Sequence, residues 1–252
     1  MSDNGWDATE LMTINAAREL RDGLTCLVGV GPPNAAANLA RRLHAPNTVL
    51  IYESGAIGAK PRRLPLSIGD DDLAETADEL VSVPEMFNYW VGGGRIDVGF
   101  LGAAQIDRKG NINTTVIGDY ASPKVRLPGA GGAPEIAARS REVIVLVRHS
   151  KRVFVEKLDF VTSVGPAGAP IVVITDLGVL RPSDDEGELV LAAVHHGVEP
   201  EQVKEATGWD LRVADDLQRT PPPSDQELET LRELRASAER APGAEGVPTA
   251  AR

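Results

Sequence analysis

The residues best suited to chemistry in this chain stand next to glycines. Ile51-Tyr-Glu-Ser-Gly-Ala-Ile-Gly58 sets a carboxylate, Glu53, where an apolar run gives out, with Ser54 and Gly55 directly after it. A charged group at the C-terminal end of a buried strand is either an ordinary turn or a site. Pro128-Gly-Ala-Gly-Gly-Ala-Pro-Glu135 offers different chemistry. A loop without side chains lets backbone N–H groups approach a ligand, which is how an anion nest or an oxyanion hole is built. Gly29-Val-Gly-Pro-Pro33 follows an apolar run and precedes a helical one, a context that suits an anion at a helix N-terminus. It is not a dinucleotide fingerprint, because the third glycine is missing and prolines intervene. Gly92-Gly-Gly94 reads as a tight connection. Lys60-Pro-Arg-Arg63 reads as a solvated basic turn, with a phosphate contact as the alternative.

These residues need elements to hold them. Apolar spacing at Leu11, Ile14, Ala17 and Leu20 predicts a helix over Leu11–Arg21. A strand follows from Thr25 into the glycine turn, then a helix opened by Pro32-Pro33 and running to Leu43, then a strand from Thr48 to Tyr52. Beyond a helix at Pro84–Val91, strands are predicted at Ile96–Leu101, Asn111–Ile117, Val143–Val147, Arg152–Glu156, Ile171–Ile174 and Leu189–Val194. Helices are predicted at Gln202–Thr207 and, with Ser224 as N-cap, at Asp225–Ala238. The sum is an α/β fold, a single open, mostly parallel-stranded domain over residues 1–240 with helices packed on the sheet. Residues 241–252 mix Pro, Gly, Ala and Glu without apolar period and read as a disordered tail.

Composition excludes several function classes. The 252 residues carry a formal net charge of -11, which argues against nucleic acid, since such a partner needs a basic face. Cys26 is the only cysteine, so no intrachain disulfide forms. No apolar run reaches the ~18 residues of a membrane helix, and the N-terminal residues lack a signal-peptide pattern. A cytoplasmic protein without a membrane partner is expected. His44 and His149 are isolated, and the adjacent His195 and His196 point to opposite faces of a strand, so no metal is expected.

The motifs gain meaning in combination. Glu53-Ser54-Gly55-Ala56-Ile57-Gly58, the Gly29-Val-Gly31-Pro32 turn, Gly102-Ala-Ala-Gln-Ile-Asp107 with Gly110-Asn-Ile-Asn113, and Pro128–Ala133 together resemble family I coenzyme A transferases, in particular the β-type subunit of the glutaconate CoA-transferase group. The likeness runs over roughly residues 25–165 and more weakly to about residue 235. It departs from the family in having one residue fewer before the proline of the Gly29–Pro32 turn.

The resemblance implies that Glu53 is a nucleophile. A carboxylate is already ionised at neutral pH, so no general base is needed, but it is weak and needs proximity and a stabilised oxyanion. The implied sequence is an acyl-glutamyl anhydride followed by a glutamyl-CoA thioester. Gly129, Gly131, Gly132 and Ala133 become candidates for oxyanion and CoA contacts. Ser54, Gly55, Gln105, Gly29 and Gly31 are expected near the substrate, Gly55 by letting it approach the backbone. Gln105 would orient a carbonyl or carboxylate, or merely cap a strand end as a buried amide. Coenzyme A enters as a cosubstrate, with no tightly bound cofactor. The implied active form is a heteromer with an α-type subunit, α2β2, with the site at the α–β interface. Relatives that turned to decarboxylation or hydrolytic ring cleavage have replaced the glutamate, so Glu53 favours transfer. A thioester hydrolase, decarboxylase or retro-Claisen enzyme on the same fold, and a non-catalytic CoA-binding subunit, are the alternatives.

Overall fold

Alternating apolar runs and glycine turns fold, in a computed structural model, into two units: Met1–Val98 with Pro223–Arg252, and Gly99–Pro222. The structure describes residues 5–165, 170–183 and 187–239, so the tail expected over 241–252 lies outside the described residues.

In the first unit the chain runs α1 (Ala8–Glu19), β1 (Thr25–Leu27), α2 (Pro32–Leu43), β2 (Val49–Ile51), β3 (Ala56–Ile57), α3 (Asp71–Thr76), β4 (Glu79–Leu80) and α4 (Val83–Glu85). Asp7 caps α1 with a reciprocal capping box to Glu10, so the helix begins at Ala8, three residues ahead of the predicted boundary. β1 and β2 pair in parallel, with Leu27 opposite Ile51, and β3 and β4 add on antiparallel. Helix α2 buries Ala35, Ala36, Ala37, Leu39 and Ala40, small side chains that let α1 pack closely. The predicted helix at Pro84–Val91 is a short α-turn that widens into a π-turn over Met86–Val91, closed by the Gly92 N–H on the Phe87 carbonyl. Gly92 and Gly93 belong to that closure, because a Cβ on either would strike the carbonyl of Asn88 or Tyr89.

The second unit holds β5 (Val98–Leu101), β6 (Gln105–Ile106), β7 (Ile112–Asn113), β8 (Val116–Gly118), β9 (Pro123–Arg126), α5 (Ala133–Arg139), β10 (Glu142–Leu146), β11 (Ile171–Ile174), β12 (Gly178–Pro182), β13 (Leu189–Val194), α6 (Pro200–Glu205) and β14 (Val213–Arg219). Its main strands lie in the order β14-β13-β12-β11-β10-β5. The pairs β10–β11 and β13–β14 are parallel, while β12 is antiparallel to both neighbours. The chain then returns to the first unit as α7 (Asp225–Glu239), where Ser224 Oγ accepts the Glu227 N–H as predicted. The α/β class expected from the sequence is the one observed.

Two predicted strands come out differently. Asn111–Ile117 is broken in two because the Asn113 carboxamide oxygen accepts the N–H groups of Thr115 and Val116, bending the chain. Arg152–Glu156 is a turn with one bridge from Phe154 to Ile106, since the Ser150 carbonyl takes the N–H groups of both Val153 and Phe154. That turn buries Phe154 face to face with His149, ring centroids 3.8 Å apart. His149 is held neutral there, burial lowering its pKa to about 4. His195 is also buried, bonded to Thr220 and the Thr175 carbonyl. Both act as structural histidines.

Candidate active site

Glu53 stands on a three-residue hairpin loop. Tyr52 N–H donates to the Ala56 carbonyl at 3.0 Å, and Gly55 N–H closes the turn on the Tyr52 carbonyl at 2.9 Å. Such a loop needs a residue at positive φ in its last position, and Gly55 supplies it at φ 101. Because β1 and β2 are parallel neighbours, the Val28 N–H bonds the Ile51 carbonyl, and the Gly29–Gly31 turn emerges at the same carboxyl end as Glu53. Gly31 at φ 84 caps α2 ahead of Pro32. A Cβ on Gly29 or Gly31 would meet nothing within 4 Å.

Gly55 serves a different end from the one expected. A Cβ there would overlap the Val81 carbonyl oxygen, and its own carbonyl accepts the Val81 N–H at 3.0 Å. The space on the side of Gly55 where a Cβ would stand is filled by protein backbone. Gly58, at φ 66, is likewise crowded by the Asp78 carboxylate.

The Glu53 carboxylate is half-buried and makes no hydrogen bond or ion pair among the described residues. Burial raises its pKa above the ordinary carboxylate value, with no cation to offset it. Ser54, also half-buried, follows it in the loop. Behind the loop, Tyr52 points the other way and is fully buried, its hydroxyl 3.3 Å from Asn34 Oδ1, which also takes the Asn38 amide at 2.5 Å. Burial pushes the Tyr52 phenol up to about 12, so it stays a neutral anchor. Asn34 and Asn38 escaped the sequence reading. Two amides at i, i+4 on an otherwise alanine-rich buried face were the available signal.

The basic turn after the hairpin is neutralised locally. Lys60 pairs with Asp78, Arg62 with Asp72 and Glu75, and Arg63 with Asp70. Each cation is already engaged, which supports the solvated-turn reading over a phosphate contact.

In the second unit, Gly129, Ala130 and Ala133 of the glycine loop line a pocket of about 360 Å³ with Leu101, Gly102 and Thr114, while Gly131 and Gly132 stand outside that lining. Gly129 sits at φ 100 and Gly131 at φ 50, and a Cβ on either would find open space. The Gly129 N–H is bound by the Thr114 carbonyl, and the Ala133 N–H by the Ala130 carbonyl. The N–H groups of Ala130, Gly131 and Gly132 make no hydrogen bond among the described residues. Three consecutive uncommitted donors are what a backbone anion site requires. Gln105 is occupied: its oxygen takes Asn113 Nδ2 at 2.7 Å and Asp159 N–H at 3.1 Å, and its Nε2 donates to Asp159 at 2.9 Å. These bonds support the buried-amide reading of Gln105. Among the described residues, no three His, Cys, Asp or Glu side chains gather as a metal would require.

Residues 9–206 match the family model described as Coenzyme A transferase. The chain belongs to that family. It is 53% identical to the B-type subunit of 3-oxoadipate CoA-transferase from Pseudomonas knackmussii, over 96% of this chain and 98% of the relative. Its fold matches the crystal structure of glutaconate coenzyme A-transferase from Acidaminococcus fermentans at a TM-score of 0.84 and 31% identity, covering 91% of this chain and 95% of that one. The decarboxylase AibA/AibB shares the fold at a TM-score of 0.82 and 27% identity, covering 91% and 95%. Along nearly all its length this family member corresponds to a B-type subunit.

Proposed function

We propose that this chain is the B-type subunit of a two-chain enzyme that moves CoA between an acyl-CoA and a carboxylic acid, with Glu53 as the nucleophile. The carrying observation is the half-buried Glu53 carboxylate, raised in pKa by burial and left without a cation. Burial strips water from the anion and raises its basicity, and fixed geometry on a closed hairpin supplies proximity. The substrate class suggested by the 53% identical relative is a 3-oxo dicarboxylic acid.

In this reading a Glu53 oxygen attacks the thioester carbonyl, expelling CoA thiolate and forming a mixed anhydride. The thiolate attacks the Glu53 carbonyl of the anhydride, releasing the first acid and leaving a glutamyl-CoA thioester. The acceptor carboxylate attacks that thioester, thiolate leaves again, and its attack on the new acyl carbonyl restores Glu53. Each tetrahedral intermediate carries an oxyanion that hydrogen-bond donors must meet. Within the second unit, the free N–H groups of Ala130, Gly131 and Gly132 suit a negatively charged group of the ligand. Ala133, whose own N–H is used, closes the loop. Gly29 and Gly31, open at the same strand ends as Glu53, leave room for substrate.

The test uses the chain assembled with its A-type subunit. Incubation with acyl-CoA followed by borohydride reduces a glutamyl thioester to an alcohol, which peptide mass spectrometry locates at Glu53. Glu53→Ala and Glu53→Gln should lose transfer by at least about a thousandfold, the scale of removing a covalent nucleophile. Full transfer by Glu53→Ala would end this reading. Net loss of CO2 from a 3-oxo acid without exchange would move the protein toward the decarboxylase chemistry of AibA/AibB.

A further inference from the structure

The glycine loop is fastened from behind by one threonine. Thr114 Oγ1 donates to the Gly129 carbonyl at 2.8 Å, and the Thr114 carbonyl accepts the Gly129 N–H at 2.9 Å. Both backbone groups of the residue at φ 100 are thus satisfied by a single partner. Thr114 is itself braced, because Thr162 Oγ1 accepts its N–H at 2.9 Å and shares a 2.7 Å bond with Thr115 Oγ1. The Leu127 N–H on the Thr115 carbonyl, at 3.0 Å, ties down the approach to the loop. Thr114 also lines the pocket that the loop borders.

Glycine has almost no conformational preference of its own, so a loop with Gly129, Gly131 and Gly132 does not choose one shape from local sterics. Its three free N–H groups are useful only if they are held in place before the charge develops. The bonds on Gly129 supply that constraint at the loop's entrance. A valine has the same shape as threonine without the hydroxyl, and nothing in the packing demands the hydroxyl otherwise.

We propose that Thr114 is a positioning residue, which holds the glycine loop through Gly129 in the conformation that receives acyl-CoA. This rests on the functional reading above, and the test separates the two. Thr114→Val and Thr114→Ser are assembled with the A-type subunit, and amide exchange is followed at Gly129 and Ala133, the two hydrogen-bonded amides of the loop. Steady-state KM is measured separately for acyl-CoA and for the free acid. Thr114→Val should speed exchange at these amides and raise KM for acyl-CoA by about tenfold, the order expected for one lost hydrogen bond, with KM for the acid unchanged. Thr114→Ser should restore both.

Unchanged loop exchange in Thr114→Val would overturn the proposal. So would a serine variant as impaired as the valine one, or a fall in kcat alone, as loss of active protein gives. The exchange measurement needs no turnover. A wild-type complex that transfers no CoA while the loop still responds would sink the functional reading, and the role in acyl-CoA binding with it, but would uphold the fastening.

Discussion

The Glu53 hairpin and the loop at Gly129–Ala133 both rely on glycines at positive φ, and they use them in opposite ways. At Gly55 and Gly58 the missing side chain is replaced by protein: the Val81 carbonyl and the Asp78 carboxylate occupy the space a Cβ needs. At Gly129 and Gly131 the space is empty. Gly55 lets two pieces of backbone close on each other and Gly58 admits the Asp78 side chain, and together they fix the hairpin that carries Glu53. The second leaves room on the outside of a loop whose donors are unspent. A glycine-rich motif therefore means rigidity in one place and access in another, and only the long-range neighbours tell which.

That contrast is broken most severely at Gly55. Alanine there must adopt φ near 101 and displace the carbonyl of Val81, a residue whose own N–H is bonded to the Gly55 carbonyl. Backbone strain and the clash together should cost about 4 kcal/mol, a large part of an ordinary stability of roughly 5–15 kcal/mol. Thermal denaturation of Gly55→Ala should show a Tm lowered by about 10 °C or more. A drop of only a few degrees would mean that the hairpin is looser than its hydrogen bonds indicate.

The sequence made the placement of Glu53 legible, because an apolar run ending in Glu-Ser-Gly is a local pattern. It also made the loop at 128–133 and the strands at Ile171–Ile174 and Leu189–Val194 legible, since turn residues bound each of them. The reason for Gly55 was hidden, because Val81 lies in a distant segment and such contacts leave no local period. The pairing of Lys60, Arg62 and Arg63 with acids at positions 70–78 was hidden in the same way. Gln105 was divided between two readings until Asn113 and Asp159 were seen to hold its amide. Strand β14, Val-Ala-Asp-Asp-Leu-Gln-Arg, is mostly exposed or half-exposed, so hydrophobic alternation could not announce it.

A second effect, smaller in size, sharpens what the hairpin costs. Glu53 has a folded-state pKa raised by burial above the ordinary 4.5. A group with a raised folded pKa contributes stability that is fully present below its unfolded pKa and lost as pH rises through the folded one. At neutral pH the ionised Glu53 is therefore a burden on the fold. Glu53→Gln, which under the proposed function should lose transfer, should stabilise the chain by about 1 kcal/mol at pH 7, the usual size of an activity–stability trade. The gain should vanish near pH 4, where the wild-type carboxyl is protonated too. Denaturant titrations across that range decide it, and equal stability of both proteins at every pH would show that Glu53 is not strained by desolvation.

Gly131→Ala should give the smallest change in stability and the clearest contrast with Gly55. Its φ of 50 lies in the left-handed region that an L-residue adopts at about 1 kcal/mol, and nothing lies within 4 Å of the added methyl. The expected Tm loss is only about 3 °C. The methyl nevertheless occupies the side of the loop that the proposed function leaves to acyl-CoA, next to N–H groups with no other partner among the described residues. KM for acyl-CoA should rise severalfold in a protein that folds almost as well as wild type, whereas at Gly55 the fold itself gives way. A Gly131→Ala protein with unchanged KM would show that the open face of the loop is not where the ligand lies, and the distinction between the two kinds of glycine would lose its functional half.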